Sequence, residues 1–156
     1  MGELYTKIVA VTPVVTAGAY SANDAVGGLL TFEDVYGAVS DGDGQRGALL
    51  ESVVVSDLGK QSIALDLVLF SETFTATADN DAFDVSDTDI LNCLGVVHLT
   101  DYAAFNDSSL ATAKGLGIVI KNTSGDGKLY GQLVTRGTPT YASVSDLTVK
   151  IGVVRG

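Results

Sequence analysis

Apolar residues recur at every second position over long stretches of this chain. In SIALDLVLF, residues 62–70, Ile63, Leu65, Leu67 and Leu69 share one face while Asp66 points to the other, the period-two pattern of a half-buried strand. The run 146–154 repeats it, with Leu147, Val149, Ile151 and Val153 inward and Asp146, Thr148, Lys150 and Gly152 outward. Weaker signals predict further strands over 5–15, 29–35, 49–55, 95–100, 117–121 and 128–135. Glycine-rich turns punctuate them: Asp41-Gly42-Asp43-Gly44 and Ser124-Gly125-Asp126-Gly127 place glycine where positive φ is needed, and KNTSGDGK, between two alternating runs, reads as a hairpin. Helical period is scarce, and one short helix is expected at 87–94.

About eight antiparallel strands in a single domain spanning 1–156 predict an all-β, two-sheet sandwich of jelly-roll type. No solenoid or propeller repeat and no linker divides it. Residues 1–17 stand apart, because Ile8, Val9, Ala10 and Val11 form a continuous apolar run that calls for cover on both sides. Such a segment is either a core strand or an N-terminal arm that finds its second cover on another subunit, the core strand being the simpler expectation.

Composition narrows the function classes. The 156 residues suffice for a core without disulfides or metals, and 46% hydrophobic content excludes a disordered chain. Nineteen acidic residues against nine basic give a net charge of −10, a field that repels phosphate backbones and anionic lipid, so neither nucleic acid nor membrane is an expected partner. No stretch reaches the roughly 18 apolar residues of a membrane helix, and Thr12 and Pro13 interrupt the start, which lacks a signal-peptide pattern; synthesis in a reducing cytoplasm is expected. The single Cys93, between Leu91 and Leu94, reads as a small buried hydrophobe.

The stretch TADNDAFDVSDTDI, residues 77–90, holds five aspartates, Asp79, Asp81, Asp84, Asp87 and Asp89. Read as an EF-hand loop from Asp79, it puts Phe83 at a ligand position, Asp84 in place of the glycine and Ile90 in place of the final glutamate, so that motif fails. A looser cation site stays open. The ordinary reading is a helix start, with Ser86 as cap, Asp89 at the reciprocal position of a capping box, and Ile90, Leu91 and Leu94 as apolar face. His98, the one histidine, lies in a strand-like GVVHLT with no nucleophile elbow in the chain; one histidine and one cysteine fall short of a zinc set. Gly59-Lys60, Gly127-Lys128 and Gly115-Leu116-Gly117 lack the spacing of phosphate loops and read as turns. Tyr20, Tyr36, Tyr102, Tyr130 and Tyr141 are expected at the core's edge with hydroxyls in water. No catalytic, cofactor or metal residue is assigned.

Three segments carry a resemblance: YSANDAVGGLLTFEDV at 20–35, SIALDLVLF at 62–70, and LYGQLVTRGTPTYASVSDLTVKIG at 129–152, with RGTPTYAS followed by SDL as its most specific piece. They resemble small β-rich virion proteins encoded among the structural genes of tailed bacteriophages. The likeness covers most of the chain and includes no catalytic motif. It implies a non-enzymatic structural protein located on the virion, a capsid decoration or cement protein that binds the major capsid protein on the outer face of the head and forms a homo-oligomer, a trimer being favoured. Two other classes are carried beside it. A carbohydrate- or receptor-binding module of a tail or fibre predicts an exposed aromatic cluster or bound cation at the loop ends, involving Tyr20, Tyr102 and Asp79 to Asp84; a small hydrolase would have to use His98 as its base.

Overall fold

Nine strands pair in two antiparallel sheets in the computed structural model, which describes residues 5–37 and 46–155. The first sheet runs β1 (Tyr5–Val11), β9 (Leu147–Arg155), β3 (Arg46–Asp57), β7 (Ser109–Asn122) and β6 (Tyr102–Ala104). The second runs β2 (Ala25–Phe32), β8 (Leu129–Thr135), β4 (Leu65–Phe70) and β5 (Cys93–Leu99). The pairing is nested: β1 lies with β9, β2 with β8, β3 with β7 and β4 with β5. A long hairpin rolled into two layers has that order, and it is the jelly roll expected from the sequence.

The alternation explains which residues meet between the sheets. Val149, Ile151 and Val153 of β9 and Val53 and Val55 of β3 face Leu65, Leu67 and Leu69 of β4 and Leu129 and Leu133 of β8 in one cluster of buried side chains. Burial of each such side chain is worth about 1.5–3 kcal/mol. This core is filled mainly by aliphatic side chains, joined by Phe32, Tyr20, Tyr36 and Tyr141.

β4 departs from the simple pattern. All six of its residues are buried; on the outer face Val68 and Phe70 are covered because residues 71–92 leave the end of the strand and pass over the sheet as a strap. Under the strap, Val68, Phe70, Tyr130 and Val134 of the sheet pack against Phe74, Phe83 and Val85, with Phe70 and Phe74 stacked at 3.9 Å. Cys93 is half-buried in this second cluster.

Several expectations require correction. The strand predicted over 5–15 ends at Val11 and lies at a sheet edge, so the Ile8 to Val11 run is not covered on both sides; Ile8 is 72% exposed. The KNTSGDGK segment joins strands of different sheets and is no hairpin, since turn chemistry sets a bend and not the partner of the strand that follows. The helix expected over 87–94 is a single 3-10 turn, Asp89–Asn92, because β5 begins at Cys93; Ile90 and Leu91 face out, and of the expected apolar face Leu94 alone packs on the core. β6 was not foreseen; three residues are too short to show a period. The Asp41 to Gly44 turn lies outside the described residues.

Candidate functional site

The acidic stretch forms most of the strap, and its aspartates do different work. Asp79 is an internal anchor. Its carboxylate accepts hydrogen bonds from Tyr20 Oη at 2.7 Å, Thr16 Oγ1 at 2.6 Å and the Gly27 amide at 2.6 Å. Gly27 belongs to a bulge of β2 with φ of 73°, and a side chain there would lie 2.8 Å from Pro13 Cβ, so glycine is what lets the amide face the carboxylate. Strap backbone then joins the edge of β2: Asn80 N–H donates to Ala25 O, Ala25 N–H to Asp81 O, and Phe83 N–H to Asn23 O. Buried Gln132 clasps the middle, donating from Nε2 to Thr77 O and Gly27 O and accepting from Thr77 N–H.

Ser86 and Asp89 form half of the expected capping box. The Asp89 amide donates to Ser86 Oγ at 3.0 Å, but the Asp89 carboxylate accepts from the Thr75 amide instead of reaching back. A shallow cleft of about 380 Å³ lies there, lined by Thr75, Ala76, Thr77, Asp84, Ser86 and Asp89. Asp81, Asp84 and Asp87 are exposed, and among the described residues their carboxylates have no hydrogen-bond or ion-pair partner. No group of three or more His, Cys, Asp or Glu among the described residues has the arrangement to hold a metal ion.

A second cluster was missed by the sequence reading. Asp66, expected outside, is buried at 4% exposure between His98 and Arg136. Its Oδ1 lies 2.7 Å from His98 Nδ1, and its Oδ2 accepts from Arg136 Nε at 2.7 Å; Arg136 also donates to Asn23 Oδ1 at 2.8 Å. His98 stands directly opposite Asp66 in the β4·β5 register, which is how the pair forms. Both carboxylate oxygens are thereby engaged, one in an ion pair with the guanidinium and the other with a ring nitrogen of the imidazole, and the network ties β4, β5 and the end of β8 together. No hydroxyl or thiol is hydrogen-bonded to His98 among the described residues. A charged residue inside the apolar run SIALDLVLF was the available signal. Asp146, also expected outside, is buried: its carboxylate accepts from the Ala142 and Ser143 amides and closes the turn before β9.

The tyrosines are not watery edge residues. Tyr20, Tyr36, Tyr130 and Tyr141 are buried and Tyr102 is half-buried. Burial, reinforced by the hydrogen bond to Asp79, pushes the Tyr20 phenol up to about 12. Tyr130 is held at about 12, first by its 2.5 Å hydrogen bond to Asp126 and then by burial. Burial raises Tyr36, Tyr102 and Tyr141 as well. Asp126 moves the other way: burial opposes its ionisation, but hydrogen bonds from Tyr130, the Lys128 amide, Asn122 and Ser124 outweigh it.

No family model matches the chain, and no curated protein is similar to it. Among solved structures, recombinantly expressed latent aurone synthase (polyphenol oxidase) is similar at 15% identity over 94% of this chain and 28% of that one, with a TM-score of 0.30. The chain thus spans little more than a quarter of that protein, and so distant a likeness says nothing about activity. No helix among the described residues is long and apolar enough to cross a membrane.

Proposed function

We propose that the protein is a structural component of a tailed-phage particle, a decoration or cement protein that binds the major capsid protein on the outer face of the head lattice and acts through protein–protein contacts. It works as a homo-oligomer, with a trimer favoured, and performs no catalysis. The observation that carries the reading is how the buried titratable groups are used. Buried Asp24, Asp66 and Asp146 and half-buried Asp79 are each bonded inside the fold, buried Asp57 accepts from the Ser62 amide through one of its two oxygens, and apolar residues and unpaired charges stand on the surface. A molecule built that way recognises partners with its exterior. The virion resemblance of 20–35, 62–70 and 129–152 supplies the kind of partner, and jelly rolls serve both capsid and lectin roles, so the fold supports the reading only as an analogy.

The test is binding of the purified protein to capsids lacking it, followed by a particle map. Added density on the outer head surface and heads more resistant to heat are the expected results. Location in the tail, or no binding by oligomeric protein, would overturn the reading.

The carbohydrate- or receptor-binding alternative keeps one favourable observation, the polar strap cleft with Asp84 and Asp89. The exposed aromatic cluster it predicts does not include Tyr20, which is buried and bonded to Asp79, and Tyr102 is half-buried. A glycan array and a calcium-dependent melting shift decide it.

A further inference from the structure

The two outer faces of the sandwich differ in charge. On the five-stranded sheet, the side chains turned away from the core form rungs across the strands, as the registers show: Thr6, Val154, Leu49 and Val119 in one, and Ile8, Gly152, Ser52 and Lys114 in the next. The third carries Lys150 between Ala10 and Val54. Ile8 and Val119 are 72% and 73% exposed. Lys114 and Lys150 are exposed and have no carboxylate partner among the described residues, and exposed Lys121 lies on the same face of β7 as Lys114. The Ser52 side chain fills the space that a Cβ on Gly152 would take, and a shallow groove of about 290 Å³ runs over the two between Ile8, Val54, Leu110 and Lys150. Two exposed lysines, Lys114 and Lys150, stand on neighbouring rungs of a chain whose net charge is −10.

The opposite side is the strap over the four-stranded sheet. It presents Asp81, Asp84 and Asp87 unpaired, with Ile90 and Leu91 beside them; Leu91 is 82% exposed. One side is therefore apolar and on balance cationic, with Lys114 and Lys150 against the carboxylate of half-buried Glu51 beside the groove; the other is apolar and anionic. Nucleic acid and anionic membranes are poor occupants of the lysine face, because the rest of the molecule repels them.

We infer that the lysine-bearing face of the five-stranded sheet is the docking surface for the acidic strap of a second copy of this chain, in a head-to-tail contact that seats the Leu91 side chain in the groove over Gly152. The aliphatic residues supply the attraction, since exposed ion pairs contribute little, and the charges set the orientation. Same-face pairing is opposed by lysine against lysine and aspartate against aspartate. A heterologous contact closes into a ring or grows into an open stack according to its rotation. The inference deepens the homo-oligomer part of the proposed function and fails separately from it: a monomer that still coated capsids would overturn the docking contact and leave the capsid role standing.

Sedimentation velocity on the full chain over a concentration series tests it. Association is expected, weakening about tenfold or more from low to high salt as the charges are screened. The double variant K114E/K150E and the triple variant D81K/D84K/D87K should each be monomeric with unchanged melting temperature. Mixed together, they should associate, because the reversed face of one then meets the reversed strap of the other. L91D, a change outside the core, should weaken association without unfolding the protein. A wild-type chain that stays monomeric, a mixture that does not recover, or association of K114E/K150E with wild type through their sheet faces would overturn the proposal.

Discussion

The Asp79 carboxylate holds the Tyr20 hydroxyl at 2.7 Å across 59 residues of chain, joining the strap to the segment before β2. Thr16 and the Gly27 amide share the same acceptor, so one side chain collects three donors from the N-terminal part of the fold. Tyr20→Phe removes one donor and leaves the carboxylate two; destabilisation of about 1–2 kcal/mol is expected. Asp79→Ala strands all three donors and should cost about 3 kcal/mol. Urea unfolding measures both, and equal effects would contradict this role for Asp79.

Gln132 is the strap's other clasp. Gln132→Leu leaves the Thr77 amide and carbonyl and the Gly27 carbonyl without their partner, a loss of about 2–3 kcal/mol. Limited proteolysis should then cut within 71–92 first. If cleavage fell elsewhere, the strap would not be the weakest unit of the mutant fold.

Arg136→Ala leaves buried Asp66 with His98 as its remaining side-chain partner, and His98 is 69% exposed at its side chain. A loss of about 2–3 kcal/mol is expected, whereas His98→Ala should cost about 1 kcal/mol or less. His98→Ala should also leave capsid binding intact. A variant with normal stability that lost function would revive the hydrolase reading of His98.

Alkaline pH should unfold the protein before its tyrosines titrate normally. Tyr20 and Tyr130 are raised from 10.0 to about 12, so in the unfolded chain they lose protons first. Their contribution is fully present below pH 10 and is lost as pH rises towards 12. Phenolate absorbance should appear together with the loss of near-UV dichroism. Asp126→Asn removes the acceptor that does most to raise Tyr130, and should bring that tyrosine's titration down in pH.

Asp126 itself acts at the acid end. Its folded pKa is lowered, so its stabilising effect is present above the ordinary carboxylate range and disappears as pH falls through the lowered value. Wild type should lose stability over that acid window, and Asp126→Asn should show a flatter profile there. Parallel profiles would assign the acid sensitivity to other carboxylates.

Alternation alone determined the class of this molecule: Leu65, Leu67 and Leu69, like Leu147, Val149, Ile151 and Val153, can bury one face only in extended chain, and several such strands need a second sheet to cover them. The short range of that signal is its limit. It reports which way a side chain points from its own strand and not what comes to lie above it, so Asp66 and Asp146 read as outward residues. Asp66 is buried because His98, 32 residues away, and Arg136, 70 away, meet it across neighbouring strands. The same distance effect hid the work of the acidic stretch. Its composition described a wet loop, but the nesting of β2, β8 and β4 placed a bulge amide, a phenol and a hydroxyl around Asp79 and left Asp81, Asp84 and Asp87 facing outward. Periodicity is a property of neighbours along the chain; partners are chosen by long-range pairing, and that was decided in the tertiary structure.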